Sequence, residues 1–281
     1  MKDFQNKVAV ITGAASGIGR ALAARCVREG MRVVLADIED DTLARTAREL
    51  EETGADVLAV QTDVSRAEDV EKLAHKTLER FGAVHLLFNN AGVIVGGRLW
   101  EHSLDDWQWI LNVNLLGVIH GVRTFVPLML EQDVPCHLVN TASIAGLIAP
   151  PHQGIYNVTK HGVVAITETL YRELAEMGTQ LKVSALCPSH VRTRIYDAER
   201  NRPAGASGPM PTPALEAIWT EVDERYRDYG GMLSPEQIAD RTFEAIRDER
   251  LYILTHPELN PMLAERTEAM IAGRNPMIVS V

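Results

Sequence analysis

A doubly wound α/β fold is predicted by two patterns that alternate along the first two-thirds of the chain. Short runs rich in Val, Ile and Leu are apolar on both faces, as are strands buried within a parallel sheet. Segments with the apolar spacing of amphipathic helices separate these runs. Parallel strands joined by right-handed helical crossovers give a sheet covered on both sides, the arrangement called the Rossmann fold.

The predicted strands and helices follow one another in a regular order. Strands are expected at 7–12, 32–37, 56–63, 84–90, 136–143, 181–188 and 251–255. Helices are expected after the first strand as far as Glu29, at 40–53, 66–80, 105–132, 153–177, 214–229 and 235–248, and in a tail that ends at Gly273. Ser234, Pro235 and Gln237 form a capping-box pattern, which is typical of a helix start.

The 281 residues are interpreted as one domain (1–281) with a helical substrate lid inserted near the C-terminus. Residues 197–213 are rich in Pro, Gly, Ala and Ser, and too little chain follows them to build a second core. The segment 194–232 is therefore predicted to close over a ligand, and 256–281 to form a C-terminal tail. Apolar lid residues would suit a bulky lipophilic ligand or would only pack the lid helix: Ile195, Tyr196, Met210, Leu215, Ile218, Trp219, Tyr226 and Met232.

The composition argues against several classes of protein. The chain carries 28 basic and 38 acidic side chains, a formal net charge of −10, which disfavours binding to nucleic acid. No apolar run approaches the ~20 residues needed to cross a bilayer, and the N-terminus lacks a signal-peptide core, so a cytoplasmic protein without membrane association is predicted. Cys26, Cys136 and Cys187 are expected to be buried thiols, and no metal-ligand spacing is found among the histidines.

The glycine-rich stretch TGAASGIG, residues 12–19, joins the first strand to the first helix. Gly13 would permit a tight turn, while Gly17 and Gly19 would let a pyrophosphate approach the main chain. The helix N-terminus that follows presents free N–H groups and the positive end of the helix dipole. Its place after the first strand predicts a dinucleotide site that includes Ser16 and Ile18, and the alternative is a tight turn without a ligand.

Asp37 ends the second strand, about 20 residues after the glycine loop, where an acidic residue binds the ribose hydroxyls of adenosine. A carboxylate there also repels the 2′-phosphate of NADP, and neither Ser16 nor Ile38 supplies a cation for that phosphate. NAD is therefore the predicted cofactor, unless Asp37 only caps a turn. Asp63 and Val64, after the third strand, would face the adenine, although Asp63 could equally be an ordinary turn residue.

Four sequence motifs occur in a specific order and spacing: TGAASGIG at 12–19, NNAG at 89–92, Ser143, and YNVTK at 156–160. Together they resemble the short-chain dehydrogenase/reductase family over roughly residues 6 to 193. The resemblance implies that Asn90 and Gly92 steady the central sheet and line the adenosine side of the cofactor site. It also implies a homodimer or homotetramer formed through the helices at 105–132 and 153–177.

Two further regions take their roles from the same resemblance. Asn114, an amide among Leu, Val and Ile, matches the asparagine that kinks the long helix and holds a water in a proton relay to the lysine, and it fits the register better than Asn112. In CPSHVRT, residues 187–193, Pro188, Val191 and Thr193 match the family pattern beside the nicotinamide carboxamide, whereas Ser189 replaces the usual glycine. That replacement leaves the shape of this loop as an open question.

Tyr156 and Lys160 lie four residues apart and would share one face of a helix. Free tyrosine titrates near ~10 and is a poor base at neutral pH, but a nearby ammonium or an oxidised nicotinamide lowers its pKa. An alcohol that loses a hydride must also lose its hydroxyl proton. Tyr156 is therefore predicted as the general base in oxidation and the general acid in reduction. Lys160 would also reach the nicotinamide ribose, and Ser143 would hold the substrate oxygen.

The predicted activity is NAD-dependent transfer of a hydride between a bulky secondary alcohol and the corresponding ketone. Residues 93–99 and 144–147, with His152, would supply the second wall of the substrate site. MKDF and LYILTHPE resemble bacterial family members that oxidise benzylic alcohols of lignin-derived aryl ethers, and hydroxysteroid dehydrogenases have comparable lids. The alternatives are a nucleotide-binding regulator without activity and a methyltransferase. The presence of all four predicted catalytic residues, Asn114, Ser143, Tyr156 and Lys160, argues against a regulator. In a methyltransferase the Tyr156–Lys160 pair would have no function.

Overall fold

A single parallel sheet lies at the centre of the computed structural model, which describes residues 1–203, 215–225, 227 and 230–275. Its strands are β1 Val8–Thr12, β2 Arg32–Asp37, β3 Val57–Gln61, β4 Leu86–Asn89, β5 Cys136–Thr141, β6 Leu181–Cys187 and β7 Tyr252–Leu254. Their order across the sheet is β3-β2-β1-β4-β5-β6-β7. The chain therefore winds outward from β1 to one edge and then from β4 to the other, which confirms the predicted doubly wound sheet.

Helices cover both faces of this sheet. They are α1 Gly17–Arg28, α2 Asp40–Glu51, α3 Ala67–Phe81, α4 Leu104–Ile110, α5 Gly117–Glu131, α6 Gly154–Met177, α7 Leu215–Arg225, α8 Pro235–Arg247 and α9 Asn260–Ile271. One core contains α1, α2 and α8, and the other contains α3, α5 and α6. The capping box predicted for α8 is confirmed, because Ser234 Oγ accepts from the Gln237 N–H and Gln237 Oε1 accepts from the Ser234 N–H.

Strand β1 illustrates why the strand segments are apolar on both faces. Successive side chains of a strand point to opposite sides of the sheet. Val8 and Val10 belong to the core with α3, α5 and α6, whereas Ala9 and Ile11 belong to the core with α1, α2 and α8. All four are fully buried. Burying a side chain the size of Val or Ile contributes about 1.5–3 kcal/mol, so both faces of this central strand stabilise the fold.

The long helix predicted at 105–132 is present but is not uniform. Between α4 and α5 the chain forms a π-helical stretch, Leu111–Leu116, which contains the fully buried Asn114. A π-helical turn widens the helix by one residue, and such turns are frequent at functional sites. The sequence predicted the helix, and the family resemblance implied a kink at Asn114, but neither indicated a π-helical stretch.

By length and composition, the continuous helical stretch Leu104–Glu131 could cross a membrane, with a mean hydropathy of 1.5 over its most apolar window. This corrects the expectation that no segment approaches the required length. The core helices of soluble proteins pass the same test. Here Phe125 and Met129 of the stretch are buried in the core with α3 and α6, which accounts for its apolar composition.

Candidate active site

A deep pocket opens at the carboxyl ends of β1 to β6, where ligands of doubly wound sheets bind. Most of the predicted site residues line it: Gly13, Ser16, Gly17, Ile18, Asp37, Asp63, Val64, Asn90, Gly92, Ser143, Tyr156, Lys160, Pro188, Val191 and Thr193. The other two predicted residues, Gly19 and Asn114, lie behind the pocket wall. The fold thus brings side chains from six segments of the chain to one place.

The glycine loop forms the floor of this pocket at the start of α1. Gly13 has a φ of +67°, and a Cβ there would lie 2.9 Å from the Ala91 Cα, so only glycine fits. The first helical hydrogen bond runs from the Arg20 N–H to the Ser16 carbonyl (3.1 Å), which leaves the N–H groups of Gly17, Ile18 and Gly19 without a carbonyl partner in the helix. No acidic residue occupies the first turn of α1, so this N-terminus fits a pyrophosphate.

Gly19 has a different role from the one expected. It is buried and does not line the pocket, and a Cβ at this position would collide with the Gly13 carbonyl oxygen. Its lack of a side chain therefore lets α1 pack against the loop that precedes it. Gly17, by contrast, does line the pocket.

Asp37 holds the glycine loop while it faces the pocket. Its Oδ2 accepts from the Ala15 N–H (2.9 Å) and its Oδ1 from the Glu39 N–H (3.0 Å), so the turn-capping alternative describes part of its role. Each carboxylate oxygen keeps a further lone pair for a ribose hydroxyl. Burial raises the pKa of Asp37, and the hydrogen bonds from Glu39 and Ala15 oppose that rise.

Asp63 and Val64 line the pocket across from Asp37. The Asp63 Oδ1 accepts from both the N–H (3.0 Å) and the hydroxyl (2.7 Å) of Ser65, which is the geometry of a turn. The Val64 carbonyl bonds to His120 Nδ1 (3.0 Å), and its side chain packs beside Gly117. These contacts fix the wall at which the sequence predicted an adenine.

Asn90 ties three strand ends together beside the glycine loop. Its Nδ2 donates to the Thr12 carbonyl (3.0 Å), and its Oδ1 accepts from the Thr141 hydroxyl (3.3 Å). The ends of β1, β4 and β5 are thereby held at one level. Gly92 follows on the same loop, and a Cβ there would lie 3.7 Å from Lys160 Nζ, so the loop passes close to this lysine.

Tyr156, Lys160 and Ser143 meet at the centre of the pocket. Tyr156 and Lys160 are one turn apart on α6, and Lys160 Nζ lies 5.5 Å from the centroid of the Tyr156 ring. Lys160 Nζ also donates to the Thr141 carbonyl (2.7 Å), which anchors it to the end of β5. Ser143 Oγ donates to the Pro188 carbonyl (3.2 Å), accepts from the Ala145 N–H (3.1 Å), and stands beside the tyrosine hydroxyl.

The protonation of this group is governed by its burial. Tyr156 is 7 % exposed and Lys160 is 3 % exposed. Burial raises the pKa of Tyr156 to about 12, against a smaller lowering by the Ser143 hydroxyl. Burial likewise lowers the pKa of Lys160 to about 8. Tyr156 is therefore neutral near pH 7 and carries the proton that a general acid donates.

Asn114 acts on the pocket wall through the main chain of Val93. Its Oδ1 accepts from the Val93 N–H and its Nδ2 donates to the Val93 carbonyl, both at 2.8 Å, and Nδ2 also lies 3.3 Å from the Thr159 hydroxyl. Both ends of the amide are thus occupied by protein groups. Asn112, the neighbouring amide, bonds instead to Gln108 (2.6 Å) on the exposed side of the helix.

The loop after β6 lines the pocket, although Ser189 occupies the position at which the family pattern has glycine. The Ser189 N–H donates to His256 Nδ1 (3.3 Å), and Val191 forms a bridge with Leu233. Thr193 packs against Gly17, and its hydroxyl accepts from the Ile195 N–H (3.3 Å) at the start of a 3₁₀-helix, Arg194–Asn201. The loop therefore connects the glycine loop to the predicted lid.

The substrate end of the pocket includes residues that the sequence did not indicate. They are Trp109, Val113, Ile148, Pro150, Gln153, Leu259 and Met262. Leu259 and Met262 come from the segment after β7, which was predicted only as a C-terminal tail. His190 and Tyr196 also line the pocket and hydrogen-bond to each other (3.0 Å).

The described part of the predicted lid contributes unevenly to the pocket. Residues 194–203 line it through Ile195, Tyr196 and Ala198 among others, whereas Trp219 donates its Nε1–H to the Thr193 carbonyl (3.3 Å) and lies outside the lining. His152, expected at the other wall, does not line the pocket either. Met210 and Tyr226 lie outside the described residues, as do the side chains of Leu215 and Ile218.

This fold and this pocket define a class, the dinucleotide-binding α/β oxidoreductases, and comparison with known proteins narrows it. The family model described as short chain dehydrogenase matches residues 7–204, and the chain belongs to that family. It is an oxidoreductase with an NAD-binding Rossmann fold, as predicted.

Individual relatives match along nearly the whole chain. A CLA biosynthesis dehydrogenase/reductase of Lactiplantibacillus plantarum is 34 % identical over 98 % of this chain and 97 % of its own. A C alpha-dehydrogenase of a Sphingobium species is 33 % identical over 99 % of this chain and 89 % of its own. A short-chain dehydrogenase/reductase of Burkholderia phymatum, solved in complex with NAD, superposes with a TM-score of 0.92 at 48 % identity, and the match covers both chains completely.

Proposed function

We propose that this protein transfers a hydride between a bulky, lipophilic secondary alcohol or its ketone and NAD, with Tyr156 as the general base or acid. The observation that carries the proposal is the convergence of Tyr156, Lys160 and Ser143 beside a helix N-terminus with free N–H groups. Each motif alone has an ordinary structural explanation. Their meeting in one buried pocket is what a proton and hydride transfer requires.

The residues of this chain divide the work of moving one proton. Bound NAD supplies the hydride acceptor and, in its oxidised form, a positive charge in the pocket. Ser143 holds the substrate oxygen against the Tyr156 hydroxyl. Tyr156 takes the hydroxyl proton in oxidation, and in reduction it gives a proton to the forming alcohol. Lys160, anchored on the Thr141 carbonyl, lends positive charge under the ring and reaches the nicotinamide ribose.

NAD rather than NADP is supported by the charge at the adenosine end. Asp37 lines the pocket there, and Glu39 lies two residues further along the same loop. Two carboxylates beside the ribose oppose a 2′-phosphate. The NAD complex of the Burkholderia relative, at 48 % identity, agrees with this preference.

The substrate class is inferred from the apolar wall around the tyrosine. Trp109, Ile148, Leu259 and Met262 line this end of the pocket, with the polar Gln153 near the N-terminus of α6. Such a wall suits a bulky lipophilic alcohol. The C alpha-dehydrogenase relative and the local resemblance to enzymes of benzylic alcohols make aryl carbinols the first substrates to test.

The test is an absorbance assay of reduced nicotinamide with a panel of aryl, alicyclic and steroidal alcohols and ketones. Each is offered with NAD and with NADP. Turnover of a bulky member with NAD supports the proposal and identifies the substrate class. If the protein binds NAD but turns over no member in either direction, the nucleotide-binding regulator is the better description.

We also expect a homo-oligomer and a cytoplasmic location. Leu116 and Val158, on the helical segments named for the interface, are 37 % and 47 % exposed in the single chain. Light scattering after size-exclusion chromatography would separate a dimer or tetramer from a monomer. A monomer at micromolar concentration would contradict the expectation.

A further inference from the structure

Two arginines of the 3₁₀-helix Arg194–Asn201 reach the adenosine end of the pocket from a distant part of the chain. Arg194, Arg200 and Asn201 line the pocket together with Asp37 and Glu39. They are brought there by Glu39, which lies just before α2 and is separated from Arg200 by 161 positions. The sequence showed no cation near Asp37, because these arginines meet it only in the folded chain.

Glu39 is the centre of a small network of charges. Its Oε1 accepts from Arg200 Nε (2.8 Å) and from Asn201 Nδ2 (3.1 Å), and its Oε2 lies 3.8 Å from Arg194 Nη1. The side chains of Glu39 and Arg200 are 20 % and 21 % exposed, so water screens this pair only in part. Partial burial by itself would raise the pKa of Glu39, but the hydrogen bonds from Asn201 and Arg200 outweigh burial and lower it. Glu39 is therefore ionised at neutral pH.

Arg200 is held in place but retains donors for a ligand. Its Nη1 donates to the Arg194 carbonyl (2.8 Å) and to the Asp197 carbonyl (2.6 Å), while its Nε is bound to Glu39. A guanidinium has five N–H donors, and Nη2 has no acceptor among the described residues. A planar, fixed guanidinium with a free edge is the group that best binds phosphate.

The balance of charge at this end of the pocket opposes the binding of a further phosphate. The carboxylates of Asp37, Glu39 and Asp197 outnumber the guanidinium groups of Arg194 and Arg200 by one. Arg194 is paired with Asp197 (2.7 Å) and Arg200 with Glu39, so each cation is neutralised locally. Asp37 is left as the excess negative charge next to the ribose position.

We propose that Glu39 is a determinant of cofactor specificity: by neutralising Arg200, it denies the 2′-phosphate of NADP a cation that already lines the site. The inference rests on the proposed use of NAD. Removing Asp37 alone relieves repulsion but leaves Arg200 paired. Removing Glu39 alone frees Arg200 but leaves the repulsion. Only the loss of both converts this end of the pocket into a site with net positive charge.

The test is a binding cycle that requires no substrate. Dissociation constants for NAD, NADP and adenosine 2′,5′-bisphosphate are measured by calorimetry for the wild type, Asp37→Ala, Glu39→Gln and the double variant. The double variant is expected to bind NADP at least about tenfold more tightly than Asp37→Ala does, with a smaller change for NAD. Adding Arg200→Met to the double variant should abolish the gain.

Glu49→Gln in the Asp37→Ala background is the matched control. Glu49 lies on α2, carries the same charge and pairs with Arg20 (2.6 Å), but it does not line the pocket. It should leave NADP affinity unchanged. Thermal melts of every variant establish that the folded state is retained.

The possible failures are distinguishable. Equal NADP affinity in Asp37→Ala and in the double variant overturns the role of Glu39, as does a gain that survives Arg200→Met. Equal weakening of NAD and NADP by Glu39→Gln would also overturn it, because that result means Glu39 only supports the loop. If the wild type binds neither dinucleotide, the proposed function itself fails.

Discussion

The hydroxyl of Tyr156 is the single group on which the proposed chemistry depends. It is buried beside Ser143, and its pKa is raised to about 12, so the neutral form dominates at neutral pH. A positive charge in the pocket, such as that of oxidised NAD, would lower this pKa. Lys160 is tied to the Thr141 carbonyl rather than to the tyrosine oxygen. Its positive charge therefore acts through space on the ring and leaves the hydroxyl free for the substrate.

Replacing Tyr156 by Phe removes that hydroxyl and little else. Turnover is expected to fall by at least about 10²-fold, because positioned proton transfer contributes typically 10²–10⁴-fold. The affinity for NAD should change little, as measured by calorimetry. Tyr171→Phe is the control on the same helix, since Tyr171 is 44 % exposed and does not line the pocket. Near-normal activity of the Tyr156 variant would refute the assignment.

Asp37 has two tasks, and its replacement should separate them. Asp37→Ala removes an acceptor for the ribose hydroxyls and also frees the Ala15 N–H of the glycine loop. The affinity for NAD is expected to fall by roughly tenfold or more, while that for NADP falls less because repulsion is also lost. The ratio of kcat/KM for the two cofactors measures this change. Asp56→Ala, which breaks an exposed pair with Arg80, should leave the ratio unchanged.

At the level of elements, the π-helical stretch Leu111–Leu116 carries a buried amide. The Asn114 side chain faces the Val93 loop and forms hydrogen bonds with both the N–H and the carbonyl of Val93. Buried main-chain groups without partners are costly. The helix interruption therefore supports one wall of the pocket.

Asn114→Ala should consequently destabilise the protein more than a surface change on the same helix. About 1–3 kcal/mol of unfolding free energy is expected to be lost, because the Val93 N–H and carbonyl would remain buried and unpaired. Asn112→Ala is the matched control and should cost within about 0.5 kcal/mol. Urea denaturation of both variants gives the comparison, and equal losses would contradict the role assigned to Asn114.

The sequence predicted these elements well where one local pattern determined them. The strands were recognisable because both faces are buried, and the glycine loop because strand, turn and helix follow one another. The family resemblance implied a kink at Asn114, but no local pattern of residues specified a π-helical turn there. Gly19 was assigned to the phosphate although it packs against Gly13, because a glycine's lack of a side chain serves either purpose.

Contacts between distant segments account for the remaining differences. Leu259 and Met262 were predicted only as part of the C-terminal tail, and the folded chain brings them into the lining of the pocket. The Glu39–Arg200 pair joins residues that no local pattern links. Ser143, Tyr156 and Lys160 could be picked out from the sequence because they follow the end of β5 at a regular spacing. Its roles remain predictions for the experiments above.

For the molecule as a whole, three buried histidines connect stability to pH. His85, His137 and His256 are at most 9 % exposed, and burial lowers their pKa values to about 4, 3 and 4. Ser184 Oγ donates to the Arg250 carbonyl and so accepts from His137 Nε2 (2.8 Å). A second proton on His137 would fall on Nδ1, which is buried without an acceptor in the described structure.

These groups should make the protein labile to acid. Between pH 6.5 and about 4 these histidines bind protons in the unfolded chain but not in the folded protein. The free energy of unfolding therefore falls as the pH is lowered through this window. His137→Gln, which keeps a donor near Ser184, should reduce this fall by roughly 3 kcal/mol. Urea denaturation at several pH values checks it. Parallel curves for the variant and the wild type would contradict the assignment.

The pocket takes part of its lining from a segment near the end of the chain. The residues proposed to act on NAD lie between Gly13 and Asn201, whereas Leu259 and Met262 follow β7. Mutations after β7 can therefore change the lining without replacing a residue proposed to act on the cofactor. Duplicated copies of the gene would diverge first in the alcohols they accept, and an engineer could graft a new segment after β7 onto an unchanged cofactor-binding part.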